Sequence, residues 1–112
     1  MIDSYEFGKI VVDGRTYTED LIIYPDRVDP GWWREEGHSL SMKDLEGVTA
    51  YRPELLIIGR GAQERMQVPQ RVVDRLQEQG IEVESRPTPE AVSLFNQKAD
   101  EGKAVAALHL TC

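Results

Sequence analysis

Leu55-Leu56-Ile57-Ile58-Gly59-Arg60-Gly61 is the stretch whose reading decides the fold. Four consecutive branched aliphatic residues can be hidden on both faces only inside a layered sheet, so the run predicts an interior β-strand. The two glycines that close it permit the positive-φ turn by which a buried strand leaves its sheet.

Downstream, residues 62 to 68 are polar and aperiodic, and helical patterning begins only at Pro69, a residue suited to a first helical turn. Val72, Val73 and Leu76 then form an apolar stripe, and Gly80 stands where a left-handed C-terminal cap belongs. Ile81-Glu82-Val83-Glu84 alternates strictly and predicts a half-buried strand. Thr88-Pro89-Glu90 predicts a second helix, with a capping hydroxyl on Thr88, proline at the first position and an acid near the positive dipole end. That helix buries Val92, Phe95 and Ala99 and closes at Gly102. Ala104 to Leu110 is apolar on both alternating faces and predicts a central strand under helices. The second half is therefore strand, helix, strand, helix, strand, with right-handed crossovers between parallel neighbours.

Upstream the chain is β-rich. Lys9-Ile10-Val11-Val12, Asp13-Gly14 and Arg15-Thr16-Tyr17-Thr18 make a hairpin around a preferred two-residue turn. Leu21 to Tyr24 is a further strand, stopped by Pro25. From Val28 to Leu40 no period is regular, and of the adjacent indoles Trp32 and Trp33 one should anchor to the core while the other is exposed. Ser41-Met42-Lys43-Asp44 resembles a capping box that opens a short helical turn, ended by Gly47. The expected architecture is an α/β (or α+β) single domain, residues 1 to 112, with a mixed sheet, two main helices and a small N-terminal β-hairpin layer.

The charge balance narrows the partners. Twenty acidic against 13 basic residues give a net charge of −7, and residues 1 to 50 alone carry 11 acids against 5 bases. Nucleic acid and anionic membrane both require cationic surface to displace counterions, so neither is expected. Cys112 is the only cysteine, which excludes an intrachain disulfide and suits a reducing, cytoplasmic compartment. No basic-then-apolar leader and no run of membrane-spanning length occurs.

No constellation of catalytic residues is complete. Gly59-Arg60-Gly61 could present amides to an anion, but a dinucleotide fingerprint needs glycine where Glu64 stands and a helix opening at once. Arg34 and His38 could form an anion-binding or acid/base pair, although an arginine stacked on tryptophan is equally ordinary. His109 and Cys112 lack enough companions for a zinc site. Neither a cofactor nor a metal is expected. Arg60, Arg65, Arg71 and Arg75 form the one basic enrichment, interleaved with Glu64, Asp74 and Glu78 as in a salt-bridged solvent face.

Taken together, Asp13-Gly14 with Tyr17, Trp33-Arg34, Gly37-His38, the strand entering Gly59-x-Gly61, Thr88 with Ala91, and Asn96 before an Ala-rich last strand carry a resemblance over nearly the whole chain. The chain resembles a family of small single-domain α/β proteins whose eukaryotic relatives include a mitochondrial complex I assembly factor and an adipogenesis-associated domain protein. The resemblance implies a three-layer domain with a central mixed five-stranded sheet, and adaptor-like action without an established reaction. Two positions depart from it: Arg60, where a small residue is usual, and Lys103, where arginine is common.

Two functional expectations follow. The first is a non-enzymatic protein-interaction or assembly module acting on another protein. The second is a small-molecule or anion site, with or without catalysis, built from the Gly59–Gly61 turn with Arg34 and His38. Trp33, Arg34, His38, Gly59, Arg60 and Gly61 are the candidate residues.

Overall fold

A computed structural model describes all 112 residues. Two sheets organise it. Strands β1 (Ile2–Glu6), β2 (Lys9–Val12) and β3 (Arg15–Tyr17) form an antiparallel sheet in that order. The turn between β2 and β3 places Asp13 at φ 48° and Gly14 at φ 80°, as the Asp-Gly pair predicts. The predicted hairpin is therefore present, and β1 extends it to three strands.

The larger sheet contains β4 (Leu21–Ile23), β5 (Val28–Pro30), β6 (Leu55–Arg60), β7 (Glu82–Arg86) and β8 (Ala104–His109) in the order β5-β4-β8-β6-β7. The β4–β5 and β4–β8 pairs are antiparallel, while β8, β6 and β7 run parallel, so the sheet is mixed and five-stranded. The middle position belongs to β8, with β6 beside it. All six residues of β8 are buried.

Three helices cover the sheet: α1 (Glu46–Tyr51), α2 (Gln70–Glu78) and α3 (Thr88–Lys98). From β6 the chain steps outward over α2 to β7, then returns past β6 over α3 to β8. Two crossovers of the same hand in opposite directions must lie on opposite faces. The core divides accordingly. Leu55, Ile57, Ala106 and Leu108 pack with Phe95, Ala91 and the small sheet's Ile2, Ile10 and Val12, whereas Leu56, Ile58, Val105 and Ala107 pack with Val48, Val72 and Leu76. The run at 55 to 58 is continuous because each face has its own cover.

Two local expectations are corrected. Gly47 does not end the turn begun at Met42: the chain continues through it as α1 and ends at Arg52 in the left-handed region, φ 59°. A Cβ on Gly47 would lie 2.7 Å from the Tyr24 hydroxyl, so glycine serves close packing there. Thr88 does not cap α3, whose first residue it is. Its hydroxyl is turned inward, as described below.

The small sheet is fastened to the large layer by Asn96. Its Oδ1 accepts from the Ile2 N–H at 2.9 Å and its Nδ2 donates to the Ile2 carbonyl at 2.8 Å, so one side chain acts as the neighbouring strand that β1 lacks. Replacing Asn96 with Ala leaves both groups without a protein partner. The expected loss is about 1–3 kcal/mol in urea unfolding, with faster hydrogen exchange at the Ile2 amide.

Candidate functional site

The carboxyl ends of the parallel strands are the edge where open α/β sheets usually present ligand-binding groups. Here that edge brings Gly61, Thr88 and His109 together, and β4, running the opposite way, delivers Asp20 to it. The cross-strand register pairs Arg60 with His109 and Leu21 with Leu108.

Asp20 is the hub. Its Oδ2 accepts from His109 Nδ1 at 2.8 Å and forms an ion pair with Arg34 Nη2 at 2.9 Å, and its Oδ1 accepts from the Leu110 N–H at 2.8 Å. A carboxylate cannot donate, so the His109 proton sits on Nδ1. The 3.1 Å approach of Arg34 Nη2 to that nitrogen sets two N–H-bearing groups beside one carboxylate oxygen. Nη2 spends its other hydrogen on the Gly37 carbonyl at 3.1 Å. Burial pushes the Asp20 carboxyl up, but hydrogen bonds from His109 and the Leu110 amide and the attraction of His109 and Arg34 outweigh it. The group is held below the ordinary carboxylate range.

Val28 to Pro30, expected to be irregular, pair with β4 as β5, and the loop that follows carries Arg34 to this edge. The Trp32 N–H bonds the Asp20 carbonyl at 2.8 Å, and the Trp32 indole nitrogen donates to the Asp44 carbonyl at 2.9 Å. The Arg34 guanidinium lies 4.7 Å from the Trp32 ring centroid. Asp44 fixes the segment further, accepting from the Glu35 and Ser41 amides. Of the two indoles, Trp32 is thus the anchor and Trp33 is 75% exposed.

The remaining candidates fall as follows. His38 is exposed and meets His109 edge to face, ring centroids 5.9 Å apart. Gly61 adopts φ +99°, and a Cβ there would stand 2.2 Å from the Cys112 carbonyl carbon and 2.9 Å from His109 Cδ2. Gly59 is held against Leu108 and Thr88 in the same manner. Arg34, His38 and Gly61 therefore converge around His109. Arg60 does not join them: its Nη2 turns back onto Glu64 at 2.6 Å.

Two members of the cluster are not candidates from the sequence. Asp20 is one exposed-looking acid among many before an apolar run, and His109 is set aside there for lack of metal-binding companions. The readable signal is their shared position at strand ends. Thr88 completes the edge: its hydroxyl accepts from the Gly61 N–H at 2.8 Å and donates to the His109 carbonyl at 2.6 Å. That double bond explains why the side chain faces inward rather than capping α3.

The cluster is closed. Arg34 and His109 are 8% and 6% exposed, and His109 Nε2 and Arg34 Nε and Nη1 are buried with no hydrogen-bond partner. None of the surface hollows is lined by Arg34, His38 or His109. No group of three His, Cys, Asp or Glu side chains is placed to hold a metal ion.

Residues 2 to 110 match the model of the family described as protein of unknown function, DUF498/DUF598. The chain belongs to that family. Among solved structures, a conserved hypothetical protein from Pyrococcus horikoshii OT3 superposes with a TM-score of 0.84 at 24% identity, over 100% of this chain and 99% of that one. An outer membrane protein from Bartonella henselae gives 0.83 at 24% identity, over 99% and 94%. A Bordetella pertussis protein described as a Mth938-like domain gives 0.71 at 19%, over 98% and 85%. These likenesses establish a shared fold. No helix is long and apolar enough to cross a membrane.

Because the Asp20 carboxyl is held below its unfolded value, its contribution to stability is present above the unfolded pKa of about 3.9 and is lost as pH falls through the folded value. Asp20→Asn should therefore flatten the acid limb of stability against pH. It should also cost about 3 kcal/mol or more at neutral pH, by leaving Arg34 buried without a counter-charge. Chemical denaturation across pH 2 to 7 measures both.

Proposed function

We propose that the chain is a non-enzymatic interaction module with Trp33 at the centre of its contact surface. The observation that carries this reading is the 75% exposure of Trp33 on backbone whose neighbours are fixed, Trp32 by its indole hydrogen bond and Arg34 by burial against Asp20. A large aromatic side chain held out on a rigid segment loses little freedom on binding, and tryptophan is enriched among the residues that dominate interface energy.

A second large apolar side chain stands near the same edge. Phe7 is 60% exposed at the turn between β1 and β2, and the adjoining Gly8 N–H bonds the Leu110 carbonyl. The sealing of Arg34 and His109 also favours this reading over catalysis, since a general base must reach the proton it takes. The resemblance read from the sequence, which implies adaptor-like action, supports the same choice.

One observation favours a second reading. The unpartnered Arg34 Nε and Nη1 are donors without an acceptor, and a small anion would meet them if the segment from Gly31 to His38 lifted. In that reading, acetate at constant ionic strength raises the melting temperature of the native chain and leaves Arg34→Lys unaffected.

Trp33→Ala should leave the melting temperature of the protein within a few degrees of native, because the side chain is solvated. It should weaken a partner captured from source-cell extract by about 2 kcal/mol, or about thirtyfold. A captured partner that binds Trp33→Ala as tightly as the native chain would remove Trp33 from the surface. Trp32→Ala serves as the contrast, losing fold stability because its ring covers Arg34.

A further inference from the structure

Arg71 and Arg75 stand one turn apart on the same face of α2, and both line a hollow of about 350 Å³ with Ser41, Met42, Val72 and Asp74. The interleaved acids do not neutralise them. Neither guanidinium comes within ion-pairing distance of a carboxylate, which corrects the salt-bridged face expected from the sequence. Asp74 Oδ1 is engaged by Gln70 at 2.9 Å. Arg60, by contrast, has Glu64.

Other basic side chains lack ion pairs, but only Arg71 and Arg75 share one concavity. Ser41 lines the hollow from the start of the turn that its backbone N–H fixes to Asp44, and its hydroxyl lies beneath the surface. Val72 is buried and Met42 half-buried beneath it, so the hollow has an apolar floor. One carboxylate, Asp74, lines the hollow and is bonded by Gln70; Glu35 and Glu36 line an adjoining hollow of about 230 Å³, where Glu35 is held by Lys43 at 3.4 Å.

Two uncompensated guanidiniums facing one cavity are unusual in a chain of net charge −7. The planar fork of each matches a tetrahedral oxyanion. The apolar floor gives room for a small carbon body of the size such cavities hold. We infer that this hollow binds a small phosphate monoester, its phosphoryl oxygens between Arg71 and Arg75 and its body against Met42 and Val72. This site is separate from the Trp33 surface and does not depend on it.

The test titrates the full chain with phenyl phosphate, and separately with inorganic phosphate, at constant ionic strength while amide chemical shifts are followed. Saturable shifts confined to residues 41 to 43 and 70 to 76 are expected. Phenyl phosphate should bind about threefold or more tighter than inorganic phosphate, since burying even one methylene against the floor is worth that much. The double substitution Arg71→Gln with Arg75→Gln should weaken binding about tenfold or more at an unchanged melting temperature, both side chains being exposed. Shifts that never saturate, that centre on Arg34, His38 and His109, or that survive the double substitution would overturn the assignment. Equal affinity for the two probes would overturn the monoester.

Discussion

The Asp20 carboxylate accepts hydrogen bonds from His109 and the Leu110 amide and pairs with the Arg34 guanidinium, and the arrangement of the carboxyl edge follows from it. His109 brings the end of the central strand, Arg34 brings the loop carrying both tryptophans, and the Leu110 amide brings the C-terminal segment. A buried charge is tolerated only when such partners replace its water. Each partner is then fixed in turn, Arg34 by the Trp32 ring and Gly37 carbonyl, His109 by the Thr88 bond to its carbonyl. The result is an interlocked edge, in which the polar groups hold backbone in place.

Placement of the candidate residues on this edge gives them unequal meaning. Arg34, His38 and Gly61 converge, but they do so around the enclosed His109 side chain, without an open cavity. The glycines of the turn are explained by close approach: Gly59 by Leu108 and Thr88, Gly61 by the backbone of Cys112. What the edge offers to solvent is the pair of aromatic side chains that its loops hold outward. A rigid polar interior with apolar projections suits contact with another macromolecule, and the hollow beside α2 suits a small anion.

The regular elements were legible from residue pattern. The apolar run at 55 to 58, the helical stripe through Val72 and Leu76, the left-handed Gly80 and the Asp-Gly turn each carry their structural reason locally. Less legible were features whose reason lies elsewhere in the chain. Thr88 has the sequence of a cap and serves instead as a bridge between two strands. Gly47 reads as a helix end and accommodates Tyr24. The short edge strand β5 has only three residues, one of them Pro30, and is defined by pairing with β4. Asp20 was invisible as a hub because its partners come from positions 34, 109 and 110. Arg34, His38 and the glycines of this edge were therefore nameable from the sequence, and Asp20 and His109 at its centre were not.

The clasp between Asn96 and Ile2 joins residues separated by 94 positions. During synthesis β1 and β2 emerge well before the helix that receives β1 and the Leu110 carbonyl that bonds Gly8. Until then Ile2, Ile10 and Val12 lack the cover of α3 and β8. Pairings of such long sequence separation form slowly, and an uncovered apolar sheet is prone to association in the interval. Completion of the layered core thus waits on α3 and β8.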